Sequence, residues 1–207
     1  MTINHHLDDA TLMSFVAGSL PETLAAVAAV HISMCARCRR EVDVHEHVGA
    51  ALIQNIAPAG LRRSALEIAE AEIRHEAPAP AKAATPPLER LVGGDLDEVR
   101  WRWIGPGLWH RLLHAGGRGT LQLIKAAPGA SVPEHTHGGG ELTLVLRGAL
   151  VDETGTYHSG DVADLDESVE HNPVADKDAG CICLIANEQP TRFRGVLARI
   201  MQRWHGL

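Results

Sequence analysis

The chain has 207 residues, a formal net charge of −7 and four Cys, and 45% of its residues are hydrophobic. This length suits one large domain or two small ones, and the composition can supply an apolar core although only 3% of the residues are aromatic. The acidic balance argues against non-specific binding to nucleic acid or anionic lipid, which needs clustered Lys and Arg.

The first residues, "MTINHHLDDATLM", lack the basic segment and the apolar run of a secretory signal. The sequence has no apolar run near the ~18 residues of a membrane span. Its cysteines form two close pairs, Cys35/Cys38 and Cys181/Cys183. In a reducing compartment such pairs favour metal or redox chemistry over a disulfide framework. We therefore expect a cytoplasmic protein that binds neither membrane nor nucleic acid directly.

Residues 1–75 have the apolar spacing of helices. The predicted helices are, in chain order, residues 7–20, 22–31, 39–54 and 61–75. Ser19 and Glu22, with Pro21 between them, predict a capping box at the start of the second helix. The third helix carries an apolar stripe made of Val44, Val48, Leu52 and Ile53. A small helical bundle is the expected result.

Residues 76–87, "EAPAPAKAATPP", alternate Pro with Ala and contain no large apolar side chain. That composition predicts an extended linker. It divides the chain into a helical domain (1–75), a linker (76–87) and a second domain (88–207). Because the linker lacks apolar anchors, we expect the two domains to fold independently.

Short runs with period-2 alternation fill the second domain. They cover residues 120–129, 141–148, 149–155, 156–165 and 181–187. Strands at such short spacing predict an antiparallel sandwich or barrel. The expected fold class is therefore α + β in two domains, with an N-terminal helical bundle, which the next motif predicts to be zinc-bound, and a C-terminal antiparallel β-barrel.

The first candidate metal site lies in "HISMCARC", where His31, Cys35 and Cys38 stand at i, i+4 and i+7. On one straight helix the outer two would be about 10 Å apart along the axis, too far for zinc bonds of ~2.0–2.3 Å. The spacing therefore predicts a helix break between His31 and Cys38. A fourth ligand is expected from His6, with His5 as the alternative.

Two other interpretations of this stretch carry less weight. Buried cysteines beside a surface histidine would need no metal, but the added His at a fixed spacing favours zinc. A thioredoxin-like redox site is disfavoured because no βαβ pattern surrounds Cys35. A small helical domain often needs such a metal for stability.

The second candidate site lies in "GASVPEHTHGGGELTLVLRG". His135 and His137 share one strand face, Glu141 has the same parity, and His171 follows in a later strand. Three His and one carboxylate suit a divalent ion with coordination positions left open. Zinc is our first choice, and Fe, Mn and Ni accept the same set. Cys181 and Cys183 are interpreted as part of a buried apolar strand.

The order Gly129, five residues, His135-x-His137, three residues, Glu141, six residues, Gly148 resembles the first motif of the cupin family. A partial second motif follows in Gly160-Asp161 and His171. Between them, Asp166-Glu167-Ser168 replaces the usual Pro-x-Gly. The resemblance implies that the second domain is a cupin barrel that holds a metal.

A His–Cys–Cys zinc module followed by a cupin resembles the ChrR family of zinc-dependent anti-sigma factors. The resemblance implies that residues 1–75 bind an extracytoplasmic-function sigma factor and keep it from core RNA polymerase. It also implies that the cupin is needed to release the sigma factor on an oxidative signal, which is singlet oxygen in that family.

Two other classes of function remain as alternatives. A three-His, one-Glu cupin is also typical of dioxygenases and isomerases, in which case the helical domain would be a regulatory appendage. A zinc-finger DNA binder is disfavoured because residues 1–75 carry nine Asp/Glu against six Lys/Arg.

Overall fold

The computed structural model describes residues 2–60, 62–75, 85–116, 119–132, 135–136, 138–189 and 192–193. The helices are α1 (Asp9–Val16), α2 (Glu22–Met34), α3 (Ala36–Gln54), α4 (Arg63–His75) and α5 (Pro87–Val92), followed by a 3-10 turn (Leu96–Glu98). The strands are β1 (Arg102–Gly105), β2 (Leu108–Gly116), β3 (Gly119–Ala126), β4 (His135–Thr136), β5 (Glu141–Asp152), β6 (Gly155–His158), β7 (Val162–Leu165), β8 (Glu170–His171), β9 (Val174–Ala175), β10 (Cys181–Asn187) and β11 (Arg192–Phe193). The predicted α + β fold class is confirmed.

The start of α1 is set by Asp8, whose carboxylate accepts a hydrogen bond from the Thr11 N–H at 2.6 Å. The predicted capping box at α2 is wrong. The Ser19 hydroxyl donates back to the Ser14 carbonyl at 3.3 Å, so Ser19 belongs to the end of α1. Pro21 occupies the N-cap position of α2 and supplies no side-chain cap.

The predicted helix break is confirmed. Helix α2 ends at Met34, Cys35 has an extended backbone (φ −101°, ψ 110°), and α3 begins at Ala36. The Cys35 sulfur accepts from the Cys38 N–H at 3.5 Å and so acts as the N-cap of α3. The corner brings the end of α2 close to the first turn of α3.

Within the part of the chain that the structure describes, the strands form two antiparallel sheets. The larger has the order β1-β2-β3-β10-β5-β6, with β7 and β9 also paired to β5, and the smaller has the order β11-β4-β8. Gly148 lies within β5, between the residues that pair with β7 and those that pair with β6 and β9. Only glycine suits this position, because a Cβ would lie 2.0 Å from the Gly180 carbonyl oxygen and the φ is +77°. Strands β1 and β2 and helix α5 were not predicted, since their sequences have no regular alternation.

Helix α2 lies directly on the larger sheet, against β3, β5 and β10. Its buried face and the facing strands form one apolar cluster, which includes Leu24, Val27, Ala28, Val30, Leu123, Leu142, Leu144 and Leu184. The two parts of the chain therefore share a core, contrary to the expectation drawn from the linker composition. Residues 76–84 of the predicted linker lie outside the described residues, and the domain boundaries remain a prediction.

Truncating a side chain in this shared core should destabilise both parts together. Leu144 is fully buried, so Leu144→Ala is expected to lower the free energy of unfolding by about 2–5 kcal/mol. Trp101, Trp103 and Trp109 lie at or beside β1 and β2, so their fluorescence follows the barrel during denaturation, while circular dichroism follows the helices. Both signals should shift to lower denaturant concentration.

The matched control is Leu52→Ala, because Leu52 is 66% exposed and a surface truncation changes stability by only about 0.5 kcal/mol or less. A Leu144→Ala shift seen in the fluorescence but not in the helical signal would contradict the shared core.

Candidate metal centres

The first centre gathers the four residues expected from the sequence, His6, His31, Cys35 and Cys38, whose ligand atoms all lie within 4.8 Å of one another. His31 Nε2 is 3.3 Å from Cys38 Sγ, and His6 Nδ1 is 3.3 Å from Cys35 Sγ and 3.8 Å from Cys38 Sγ. Tetrahedral zinc bonds place neighbouring ligand atoms roughly 3.3–3.8 Å apart. The donor set and its spacing therefore fit zinc.

Local structure explains this convergence. His31 lies in the last turn of α2, Cys35 at the corner, and Cys38 in the first turn of α3. His6 comes from the segment before α1, which runs back across the corner. His5, the alternative ligand, lies on Tyr157 instead, with ring centroids 4.4 Å apart. The structure thus turns His6 and not His5 toward the cysteines.

Burial sets the protonation of these groups. It lowers the pKa of His31 to about 4, so this imidazole is neutral and able to ligate at pH 7. Burial also raises the pKa of the Cys38 thiol to about 11, with the neighbouring Cys35 adding to the shift. Metal binding requires thiolates, so loading this site at neutral pH releases protons.

Of the second predicted centre, the structure describes the side chains of Glu141 and His171. His171 Nε2 lies 3.9 Å from Glu141 Oε1, and both side chains are buried. Glu141 also accepts from the Thr143 hydroxyl at 3.0 Å and from the Asn187 amide. His171 Nδ1 faces Asp152 Oδ2 at 2.8 Å, which directs Nε2 toward Glu141. Sequence reasoning missed Asp152 and Asn187.

Electrostatics hold the His171–Asp152 pair together. Burial alone would lower the pKa of His171, but the bond to Asp152 and the nearby Glu141 raise it on balance. Burial opposes ionisation of Asp152 as well, yet bonds from His171 and Thr154 lower its pKa to about 2. Asp152 is therefore a carboxylate at neutral pH and favours a proton on His171 Nδ1.

Two predicted ligands of this centre are not fully described. The backbone of His135 lies in β4 and pairs directly with His171 of β8, while its side chain and the whole of His137 lie outside the described residues. In the loop before His171, Asp166 accepts from the Ser168 N–H at 2.8 Å. This turn occupies the place where the sequence departs from the second cupin motif.

Cys181, Cys183 and Arg147 have structural roles. Cys181 and Cys183 are both buried on β10, as interpreted. Arg147 is exposed on the rim and pairs with Asp97 at 2.5 Å. The pairing of β10 with β5 has a register shift between Ile182, which faces Arg147, and Cys183, which faces Val145.

A third feature is the apolar surface of α3 and α4. The apolar stripe of α3 does not enter the core, because each of its members is more than half exposed. The exposed set is Val44, Val48, Leu52 and Ile53 on α3, Ile56 just beyond it, and Leu66 and Ile68 on α4. We call this set the α3–α4 apolar surface. Exposed apolar patches of this kind mark protein interaction sites.

The fold and the first centre define the class, a helical module with a His₂Cys₂ zinc-type cluster packed on a cupin barrel. Residues 89–191 match the family described as the ChrR cupin-like domain. The chain is 40% identical over 208 residues to the anti-sigma-E factor ChrR of Cereibacter sphaeroides, covering 98% of both chains.

The crystal structure of Rhodobacter sphaeroides SigE in complex with the anti-sigma ChrR is similar as well. It matches at 39% identity and a TM-score of 0.79, over 90% of this chain and all of that one. The chain belongs to the ChrR family of anti-sigma factors. No helix in the described residues is long and apolar enough to span a bilayer.

Proposed function

We propose that this protein is a zinc-dependent anti-sigma factor that sequesters an extracytoplasmic-function sigma factor. The α3–α4 apolar surface carries the proposal, because large side chains stay exposed on α4 and on α3, the helix whose first turn carries Cys38. Exposed faces of amphipathic helices bind in apolar grooves of partner proteins. The relative's structure in complex with SigE supports the same class of partner. Since sigma factors act in the cytoplasm, this chain would act there too.

The first centre would hold zinc through His6, His31, Cys35 and Cys38. The ion would supply a fixed cross-link between the segment before α1, the end of α2 and the start of α3. These residues orient α3 relative to α2, and thereby set the direction in which Val48 and Leu52 are presented. The barrel would hold a second divalent ion through Glu141 and His171, together with His135 and His137. The barrel is needed for release on an oxidative signal.

A charge placed on the α3–α4 apolar surface should block sigma-factor binding without harming the fold. Leu52→Asp in the full chain is expected to weaken the complex by at least about 30-fold, since central apolar contacts in interfaces contribute about 2 kcal/mol or more. Affinity can be measured by titration calorimetry with the cognate sigma factor, which is captured from a native lysate and identified by mass spectrometry.

The matched control is Ala50→Asp, which adds the same charge to α3 on its polar side, near Asp43 and Glu46. It should leave the affinity within about twofold. Equal effects of the two substitutions, or no effect of Leu52→Asp, would overturn the assignment of this surface to the sigma factor. Metal content and helical signal should match the unmodified protein in both variants.

A further inference from the structure

The first metal centre is built partly from the barrel. His31 Nδ1 donates to the Gly160 carbonyl oxygen at 3.0 Å, and this fixes the imidazole so that Nε2 faces Cys38. Gly160 lies in the turn between β6 and β7 and has a φ of +94°, a conformation that other residues rarely adopt. The carbonyl that orients His31 therefore depends on this turn of the barrel.

The adjacent Asp161 holds the segment that carries His6. Its side chain is fully buried, and Oδ1 accepts from the N–H groups of Asn4 at 2.7 Å and His5 at 3.0 Å. Oδ2 accepts from the His158 N–H at 2.8 Å and lies 3.3 Å from His5 Nδ1. His6 is the next residue along the chain, so one barrel carboxylate fixes the backbone just before a ligand.

A line of contacts continues from this segment to the second centre. The His5 ring packs on Tyr157, whose hydroxyl is 2.8 Å from Thr154 Oγ1. Thr154 donates to Asp152 Oδ1 at 2.5 Å, so the Tyr157 hydroxyl is the donor to Thr154. Asp152 Oδ2 in turn faces His171 Nδ1 at 2.8 Å. Direct contacts thus run from His171 to the residue before His6.

We propose that Gly160 and Asp161 are positioning residues of the N-terminal metal centre, and that Tyr157 couples this centre to His171 of the barrel. The proposal rests on the zinc site of the proposed function. Partners behind metal ligands contribute about 10–100-fold to metal affinity. A change at His171 that shifts Asp152 would reach the His5–His6 segment through Thr154 and Tyr157. Coupling of this kind acts in both directions between the two centres.

The test uses the full chain loaded with Co²⁺, because absorption from cobalt–thiolate bonds reports the centre that contains Cys35 and Cys38. Loss of this absorption after addition of a chelator gives the rate of metal release. Asp161→Asn replaces one acceptor oxygen with a donor that faces backbone N–H groups, and release should accelerate about 10–100-fold. Asp178→Asn, an exposed position on another turn of the barrel, should leave the rate unchanged.

Coupling is tested by a double-mutant cycle, since spatial contact alone does not establish it. His171→Ala should accelerate cobalt release about fivefold or more in the unmodified background, and by less than twofold in a Tyr157→Phe background. Tyr157→Phe keeps the ring on His5 and removes only the hydroxyl that reaches Thr154. This arm decides the coupling even if Asp161→Asn does not fold.

The outcomes separate this proposal from the proposed function. If the unmodified protein shows no cobalt–thiolate absorption, the zinc site of the proposed function fails. If it shows the absorption but Asp161→Asn releases metal at the control rate, the positioning role is wrong. Equal effects of His171→Ala in the two Tyr157 backgrounds would overturn the coupling.

Discussion

Cys38→Ser in the full-length protein is expected to abolish zinc retention at the first centre and to weaken sigma-factor binding at least 100-fold. Cys38 is almost fully buried, and its sulfur lies within 3.8 Å of both histidine ligands. A serine hydroxyl does not replace a thiolate ligand, so the cross-link between α2 and α3 would be lost. Structural zinc contributes about 10–16 kcal/mol of apparent binding free energy in small zinc modules, which is as large as the ~5–15 kcal/mol stability of an ordinary domain.

Metal analysis after gel filtration measures the loss, and titration with the sigma factor measures the affinity. Cys181→Ser is the matched control, because Cys181 is buried like Cys38 but lies on β10 and is not among the residues of the first centre. It should keep the zinc and the affinity even if it lowers the melting temperature. The idea fails if Cys38→Ser protein without metal stays helical and binds with unchanged affinity.

The sequence predicts three ligands of this centre because helix geometry limits how residues at their spacing can meet. The spacing of His31, Cys35 and Cys38 required a break in the helix, and the axial distance placed it between His31 and Cys38, whereas the observed corner is at Cys35. The choice between His5 and His6 was not settled by spacing, since both precede α1. It depends on Asp161, which lies more than 150 residues away and accepts the His5 N–H.

Asp161 was visible in the sequence only as part of the second cupin motif, and nothing in that motif indicates a contact with residues 4 and 5. The shared core was missed for a related reason. Linker composition describes how the chain connects two domains, but not whether α2 packs on a sheet. One signal was available, because α2 is apolar on most of its surface and such a helix needs partners on more than one side.

The apolar stripe of α3 is a different case. Val44, Val48 and Leu52 recur every four residues, a spacing that is typical of a helix face directed toward a core. Periodicity identifies an apolar face but not what covers it. In this chain the face lies on the surface, and the proposed cover is another protein.

Substitution of the barrel ligands should separate repression from release. Glu141→Ala and His135→Ala in the full chain are expected to repress the sigma factor normally but to lose most of the response to the oxidative inducer. The two functions lie on different parts of the chain. Glu141 lies at the start of β5 and is hydrogen-bonded to Thr143 and Asn187, whereas the α3–α4 apolar surface lies on the helices. A reporter gene driven by the sigma factor measures both properties in one strain.

Because α2 shares its core with the barrel, these variants must first be shown to fold, and Glu141→Gln provides a conservative version. Arg147→Ala is the control, since Arg147 is exposed and contacts Asp97 on the rim. A chain that ends at residue 75 keeps the α3–α4 apolar surface but lacks Gly160 and Asp161, so it should repress without responding only while it retains the N-terminal metal. It exposes the α2 face that includes Leu24 and Val27, so its level in the cell must be measured alongside.

Repression lost in folded Glu141→Ala protein that still retains its N-terminal metal would mean that the barrel site supports sigma-factor binding itself. Full induction in both ligand variants would show that the response does not need the barrel metal. An enzyme would behave differently from either, because the ligand variants would lose turnover of a small molecule while repression and induction stayed intact. The division of labour therefore requires that substitution of the barrel ligands reduces induction, and that Cys38→Ser and Leu52→Asp reduce repression.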